Sequence, residues 1–216
     1  MVVEDRYARM ARGYDAVIEP LIRDLRAAGR HLFPPRTGMA VLDVGCGTGS
    51  HLADYQDAGC RLFGIDLSSA MLQVARTKLV GQAALQRGDA ARMPFAHGVF
   101  DLVQAVFVFH EMPPPARAPL LGEMARVLRE DGRLLVIDYH VGPVGFPTGW
   151  QNRVVITLME HLAGHEHSRN YRHFVANGGL PPLASANGLW IEEQWIVGGG
   201  TLGLYLLARS PVLAPR

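Results

Sequence analysis

Residues 41–50 read VLDVGCGTGS. An apolar run ends in Asp43, and Gly45, Gly47 and Gly49 follow at alternate positions. A buried strand that breaks into glycines marks a turn whose backbone can approach a ligand closely. The dinucleotide fingerprint is G-x-G-x-x-G, but this loop is G-x-G-x-G, with Ser50 where the third glycine would stand. No G-K-[ST] follows, so it is not a P-loop either.

Working outward, strands and helices alternate. Strands are expected at 39–44, 61–66, 83–89, 100–109 and 133–139, with REDGR turning the chain before the last. Helices are expected from Gly49 to about Ala58, over 68–79 with Ser68 as cap, and over 113–128 with prolines at its start. Such alternation builds a parallel sheet covered on both faces. Residues 148–178 read as helical, with Val154, Val155, Leu158, Met159 and Leu162 as one packing face, and a short helix is expected near 181–187. The segments 189–197 and 201–209, joined by three glycines, read as a hairpin, so the last strand should be antiparallel. Upstream, 4–30 reads as one or two amphipathic helices broken near Pro20, and FPPRTG is a linker. This divides the chain into an N-terminal helical arm (1–38) and a main domain (39–216) that carries a helical insertion at 141–182.

Composition narrows the partners. Formal net charge is +1, and of 21 basic residues only Lys78 is lysine. No basic block suggests a nucleic-acid footprint. No apolar run approaches the roughly 20 residues of a membrane span, and the N-terminus has no signal-peptide core. Cys46 and Cys60 are the only cysteines, which suits a reducing cytoplasm. Oligomeric state is not legible.

Three acids end three neighbouring strands. Asp66 can accept both hydroxyls of a ribose. Asp89, followed by small Ala90, can accept an adenine amino group. Asp43 can orient the loop or meet a cationic amine. On this reading no arginine or lysine lies among them to receive a phosphate, so the implied ligand carries adenosine and positive charge but no phosphate.

The motifs VLDVGCGTG, GIDLSSAML, GDAARMPF, FDLVQAVFVFHEMP and MARVLREDGRLLVIDY, in this order, resemble the class I S-adenosylmethionine-dependent methyltransferases. Within that superfamily the chain is most similar to the small ubiquinone/menaquinone-biosynthesis type. The resemblance implies an α/β, Rossmann-like fold. Its seven-stranded sheet is mostly parallel with an antiparallel last strand, and helices cover both faces. It also implies roles. Asp43, Gly45, Cys46 and Gly47 would surround the methionine part of S-adenosyl-L-methionine, and Asp66 would hold the ribose. Leu67 and Met71 would pack on adenine, with Asp89 and Ala90 at its amino edge. Ala105 would offer its carbonyl to the amine, and Tyr14, or else Tyr7, would close over the cofactor.

His110 and His140 follow central strands on the ligand side. Each can take a proton from an acceptor, or line the pocket without chemistry. His167, Tyr171 and Arg172 in the insertion are substrate-contact candidates. The histidine run 161–173 lacks H-E-x-x-H spacing, so no metal site is expected from His161, His165 and His167. The N/D-P-P-Y/F motif of amino-methylating nucleic-acid enzymes is absent after strand 4, which favours a small apolar or aromatic acceptor of undetermined atom. A nicotinamide-dependent oxidoreductase and a non-catalytic binding protein stay as alternatives.

Overall fold

The computed structural model describes residues 11–210, apart from the side chains of Arg12, Val17, Glu19 and Leu21. Tyr7 lies outside that range. Helix α1 (Ala11–Leu32) is followed by β1 (Ala40–Val44), α2 (Ser50–Ala53), β2 (Arg61–Asp66), α3 (Ser69–Leu79) and β3 (Ala83–Arg87). Then come β4 (Phe100–Val106), α4 (Pro114–Val127) and β5 (Leu128–Tyr139). Helices α5 (Thr148–Leu162), α6 (His165–Ala176) and α7 (Leu180–Ala186) precede the hairpin of β6 (Leu189–Val197) and β7 (Leu202–Arg209).

The seven strands form one sheet in the order β3-β2-β1-β4-β5-β7-β6. Neighbours from β3 to β5 are parallel, while β7 runs antiparallel to both β5 and β6. Alternate residues feed two cores, as strand periodicity requires. Leu42, Val44, Val103 and Val136 pack with Leu120, Met124 and Val127 of α4 and Leu180 of α7. Val41, Leu102, Leu135 and Ile137 pack on the other face with Leu25 of α1 and Leu72 and Leu79 of α3. Helix α1 lies close to the sheet there: a Cβ on Gly29 would sit 3.1 Å from Leu135 Cδ2.

Several boundaries differ from the sequence reading. Helix α1 runs unbroken through Pro20, which is exposed and loses only one helical N–H. The second helix is a single turn, followed by a 3₁₀ turn at Gln56–Ala58. REDGR is not a turn but an irregularity inside β5. The register jumps from Phe100↔Leu128 to Leu102↔Arg133. Strand β4 stops at Val106 because Phe107 adopts φ 56° and Asp138 captures the next backbone N–H groups, those of Phe109 and His110.

The largest difference is in α5. Val154, Leu158 and Leu162, read as packing residues, are 68%, 57% and 73% exposed. The face exists, but no described residue covers it. Among the described residues no helix is long and apolar enough to cross a membrane.

Candidate active site

The site begins in the turn after β1. The N–H groups of Gly45 and Cys46 both donate to Ile65 O, at 2.8 and 3.1 Å, which lashes the loop to the end of β2. Gly45 has φ +68°, and a Cβ there would meet Val108 Cγ2 at 2.8 Å. A side chain at this position is therefore excluded twice, by conformation and by space. Asp66 then gathers the loop. Its Oδ2 accepts from Gly47 N at 2.8 Å, and its Oδ1 accepts from Ser68 N at 2.7 Å. Ser68 also caps α3, accepting from Met71 N at 3.1 Å.

These groups open onto a cavity of about 760 Å³, inside the range of roughly 300–1,000 Å³ of small-molecule sites. Tyr14, Asp43, Gly45, Cys46, Gly47, Asp66, Leu67, Met71, Asp89 and Ala90 all line it. Ala105 does not; the chain reaches the wall one and two residues later, at Val106 and Phe107. The lining combines the acids Asp43, Asp66 and Asp89 with apolar residues that include Val106, Phe107, Val108 and Met112.

Burial pushes the Asp43 carboxyl well above its usual range, and the neighbouring Asp66 adds to the rise. Burial first, then Glu111, Asp15 and Asp66, push Tyr14 up to about 12, so its phenol keeps its proton. Burial, with Asp43 and Asp66, raises the Cys46 thiol well above its ordinary value. Such a thiol is a packing group, not a nucleophile.

The expectation that no lysine or arginine lies among the acids is corrected by two cations, Arg87, the last residue of β3 and two before Asp89, and Lys78 of α3. Arg87 lines the cavity and donates from Nε to Leu67 O at 3.2 Å. Lys78 reaches the glycine loop from α3, bonding Ser50 Oγ and pairing with Asp15 of α1 at 2.6 Å. Asp15 also accepts from Thr48 Oγ1 at 2.5 Å. Burial pushes the Asp15 carboxyl up, but the bonds from Lys78, Thr48 and Ser50 outweigh it and hold it below its usual range.

The other predicted residues are placed elsewhere. His140 Nδ1 lies 2.8 Å from Tyr205 Oη and does not line the cavity. Neither does His110. It is buried, with Nδ1 2.8 Å from Asp138 Oδ1 and Nε2 3.7 Å from Glu160 Oε1. Burial would lower its pKa, but Asp138 and Glu160 outweigh that and raise it. His167 pairs with Glu160 at 2.6 Å. Tyr171 and Arg172 border a second hollow of about 510 Å³ between α5 and α6. The α6 residues that do reach the main cavity are Glu166 and Asn170.

Sequence reasoning missed Asp138, Glu160, Glu111 and Arg117. Arg117 is buried in α4 and ties the loop after β4 to α6. Its Nε donates to Phe109 O at 2.9 Å and its Nη2 to Asn170 O at 2.6 Å. A lone Glu inside the apolar α5 pattern was the available signal for Glu160.

Residues 41–132 match the family described as methyltransferase domain. Over this segment the chain is similar to methyltransferase domains. The chain is 34% identical over 138 residues to a demethylmenaquinone methyltransferase of Beutenbergia cavernae, covering 62% of this chain and 56% of that protein. It is 32% identical over 152 residues to nocamycin O-methyltransferase of Saccharothrix syringae, covering 66% and 51%. The chain thus spans about half the length of the curated relatives it matches. A TehB-like methyltransferase structure from Corynebacterium glutamicum superposes with TM-score 0.62 at 19% identity, covering 93% of this chain and 98% of that one. At that identity the likeness is one of fold.

S-adenosyl-L-methionine is the cofactor of this methyltransferase class, and the residues present fit it. Asp43 is a buried carboxylate beside a second acid, an arrangement that a cationic ligand relieves. Asp66 stands at the end of β2 and lines the cavity, where its carboxylate faces the ligand space. Arg87, the arginine on the wall, already donates to a backbone carbonyl.

Proposed function

We propose that this chain transfers a methyl group from S-adenosylmethionine to a small, largely apolar or aromatic acceptor. The observation that supports this reading is one cavity lined both by Asp43, Asp66 and Asp89 and by the apolar Val106, Phe107, Val108 and Met112. The cofactor supplies a methyl group already activated on a sulfonium. The protein's part is to hold both reactants in line and keep water away. In this reading Asp66 holds the ribose, Asp43 the amine, and Leu67 and Met71 the adenine, while Tyr14 covers the cofactor. Phe107, Val108 and Met112 give the acceptor a dry wall. Residues 141–182 form a lid over that side, contributing Glu166 and Asn170. When the acceptor must lose a proton, Glu111 and Glu166 are the carboxylates at hand.

Relatives named demethylmenaquinone methyltransferase and nocamycin O-methyltransferase support a small-molecule acceptor. The near-neutral charge and the two unpaired cysteines agree with a cytoplasmic enzyme that does not act on nucleic acid. The test is calorimetric binding of S-adenosylhomocysteine, followed by radiolabelled transfer to a panel of phenols, quinols, sugars and nucleosides. Label on the apolar rings is expected. Absence of cofactor binding, or label confined to sugars or nucleosides, overturns the proposal.

A further inference from the structure

Behind the cofactor cavity three side chains from three elements meet. His110 follows β4, Glu160 stands in the last turn of α5, and His167 in the first turn of α6. Their donor atoms all lie within 4.8 Å of one another. Their side chains are only 5%, 7% and 15% exposed.

The surroundings prepare these atoms to donate lone pairs. Asp138 is fully buried and accepts from the backbone N–H groups of Phe109, His110 and Tyr139. An acceptor-only carboxylate facing His110 Nδ1 fixes the ring proton there, so Nε2 turns a lone pair toward Glu160. Tyr139 Oη donates to Glu160 Oε1 at 2.8 Å. Glu160 Oε2 is buried without a well-formed hydrogen bond, although His167 Nε2 is 2.6 Å away. A buried carboxylate needs a compensating cation, and imidazoles are what face it here.

We propose that His110 Nε2, the Glu160 carboxylate and His167 Nε2 form a binding site for one divalent transition-metal ion of the zinc type. Two imidazoles and a carboxylate, with a second carboxylate behind one imidazole, is a donor set that such ions favour. Donors about 2.0–2.1 Å from a tetrahedral ion stand roughly 3.3 Å apart. His110 and Glu160, at 3.7 Å, are near that spacing. His167 has to draw back from Glu160 by several tenths of an ångström, which its partly exposed side chain allows. The ion clips α5 and α6 to the end of β4. It lies one ring behind the cavity wall, because Phe107 lines the cavity and its ring centroid is 6.1 Å from that of His110. His161 and His165, the partners His167 has in sequence, are exposed and take no part.

The experiment uses the tag-free full chain stripped of metal. Zn²⁺ is titrated by calorimetry, Co²⁺ by visible absorption, and thermal unfolding is followed with and without zinc. Expected are one equivalent of zinc with micromolar or tighter affinity, d–d bands for cobalt, and a rise in Tm of several degrees. Glu160→Gln and His167→Ala should each weaken zinc at least about tenfold, and His165→Ala should not. A cooperative thermal transition shows that each variant is folded, and S-adenosylhomocysteine binding is measured on the same samples. No zinc binding by the folded wild type, or equal binding by Glu160→Gln, overturns the proposal and leaves a proton-sharing cluster. Zinc binding without cofactor binding would sink the methyl-transfer reading and leave this one standing.

Discussion

At the end of β2 a carboxylate is held by backbone: Asp66 accepts from Gly47 N and Ser68 N. Behind the same cavity Glu160 is held by side chains, with Tyr139 donating to it and His167 beside it. Both acids are kept in place, but by different means. The first arrangement depends on a turn and a helix cap, which neighbouring residues dictate. The second depends on β5, α5 and α6 all docking correctly. Substitutions at the cofactor edge should therefore change binding, and substitutions in the lid network should change stability.

The sharpest break is Asp66→Ala. It strands two backbone donors and removes the proposed ribose acceptor. With charge-assisted hydrogen bonds worth about 1.5–3 kcal/mol each, affinity for S-adenosylhomocysteine should fall at least ~100-fold by calorimetry. Unchanged affinity would dissolve the contrast. Next is the pH dependence set by Asp43. In the free protein its carboxyl holds a proton above the pH at which the unfolded chain loses it. A ligand ammonium favours the ionised form, so binding expels the proton. Affinity should rise with pH by up to about tenfold per unit across that window, then level off. Calorimetry in buffers of different ionisation enthalpy reads the release directly. The same window should show the free protein losing stability as pH rises, because the folded state binds more protons there than the unfolded state.

Gly45→Ala meets both a positive φ and Val108 Cγ2. A cost of about 1–2 kcal/mol should lower cofactor affinity roughly tenfold, with partial recovery when Val108→Ala is added. In the lid, Tyr139→Phe removes one bond to a buried acid. Denaturant unfolding should show a loss of about 1–2 kcal/mol, with cofactor affinity almost unchanged. The smallest effect is expected from Leu158→Gln on the uncovered face of α5, within about 0.5 kcal/mol of wild type by the same method.

What could be read from the chain follows the same division. The sheet, the glycine turn and the acids at or just beyond the ends of β1, β2 and β3 are local patterns, and ten of the eleven residues expected at the cofactor line the cavity. Periodicity shows which residues share a face but not what covers it; Val154 and Leu158 were read as packing residues and face solvent. In α6 the helix was chosen for the site, yet Glu166 and Asn170 reach the cavity rather than His167, Tyr171 and Arg172. Helix phase there is fixed by tertiary contacts, notably Arg117 with Asn170 O and the Phe174 ring. His110 and Glu160 lie far apart in sequence, and their meeting has no local signature.

Lys78 has a practical consequence. It is the sole lysine of the chain, and its ammonium is shared between Asp15 on α1 and the glycine loop. An amine-acylating reagent therefore finds a single side-chain target, located at the joint between the first helix and the cofactor turn. The speed at which that side-chain amine is labelled is a clock for how often the joint opens, and peptide mass spectrometry, which separates Lys78 from the terminal α-amine, can read it without any introduced probe.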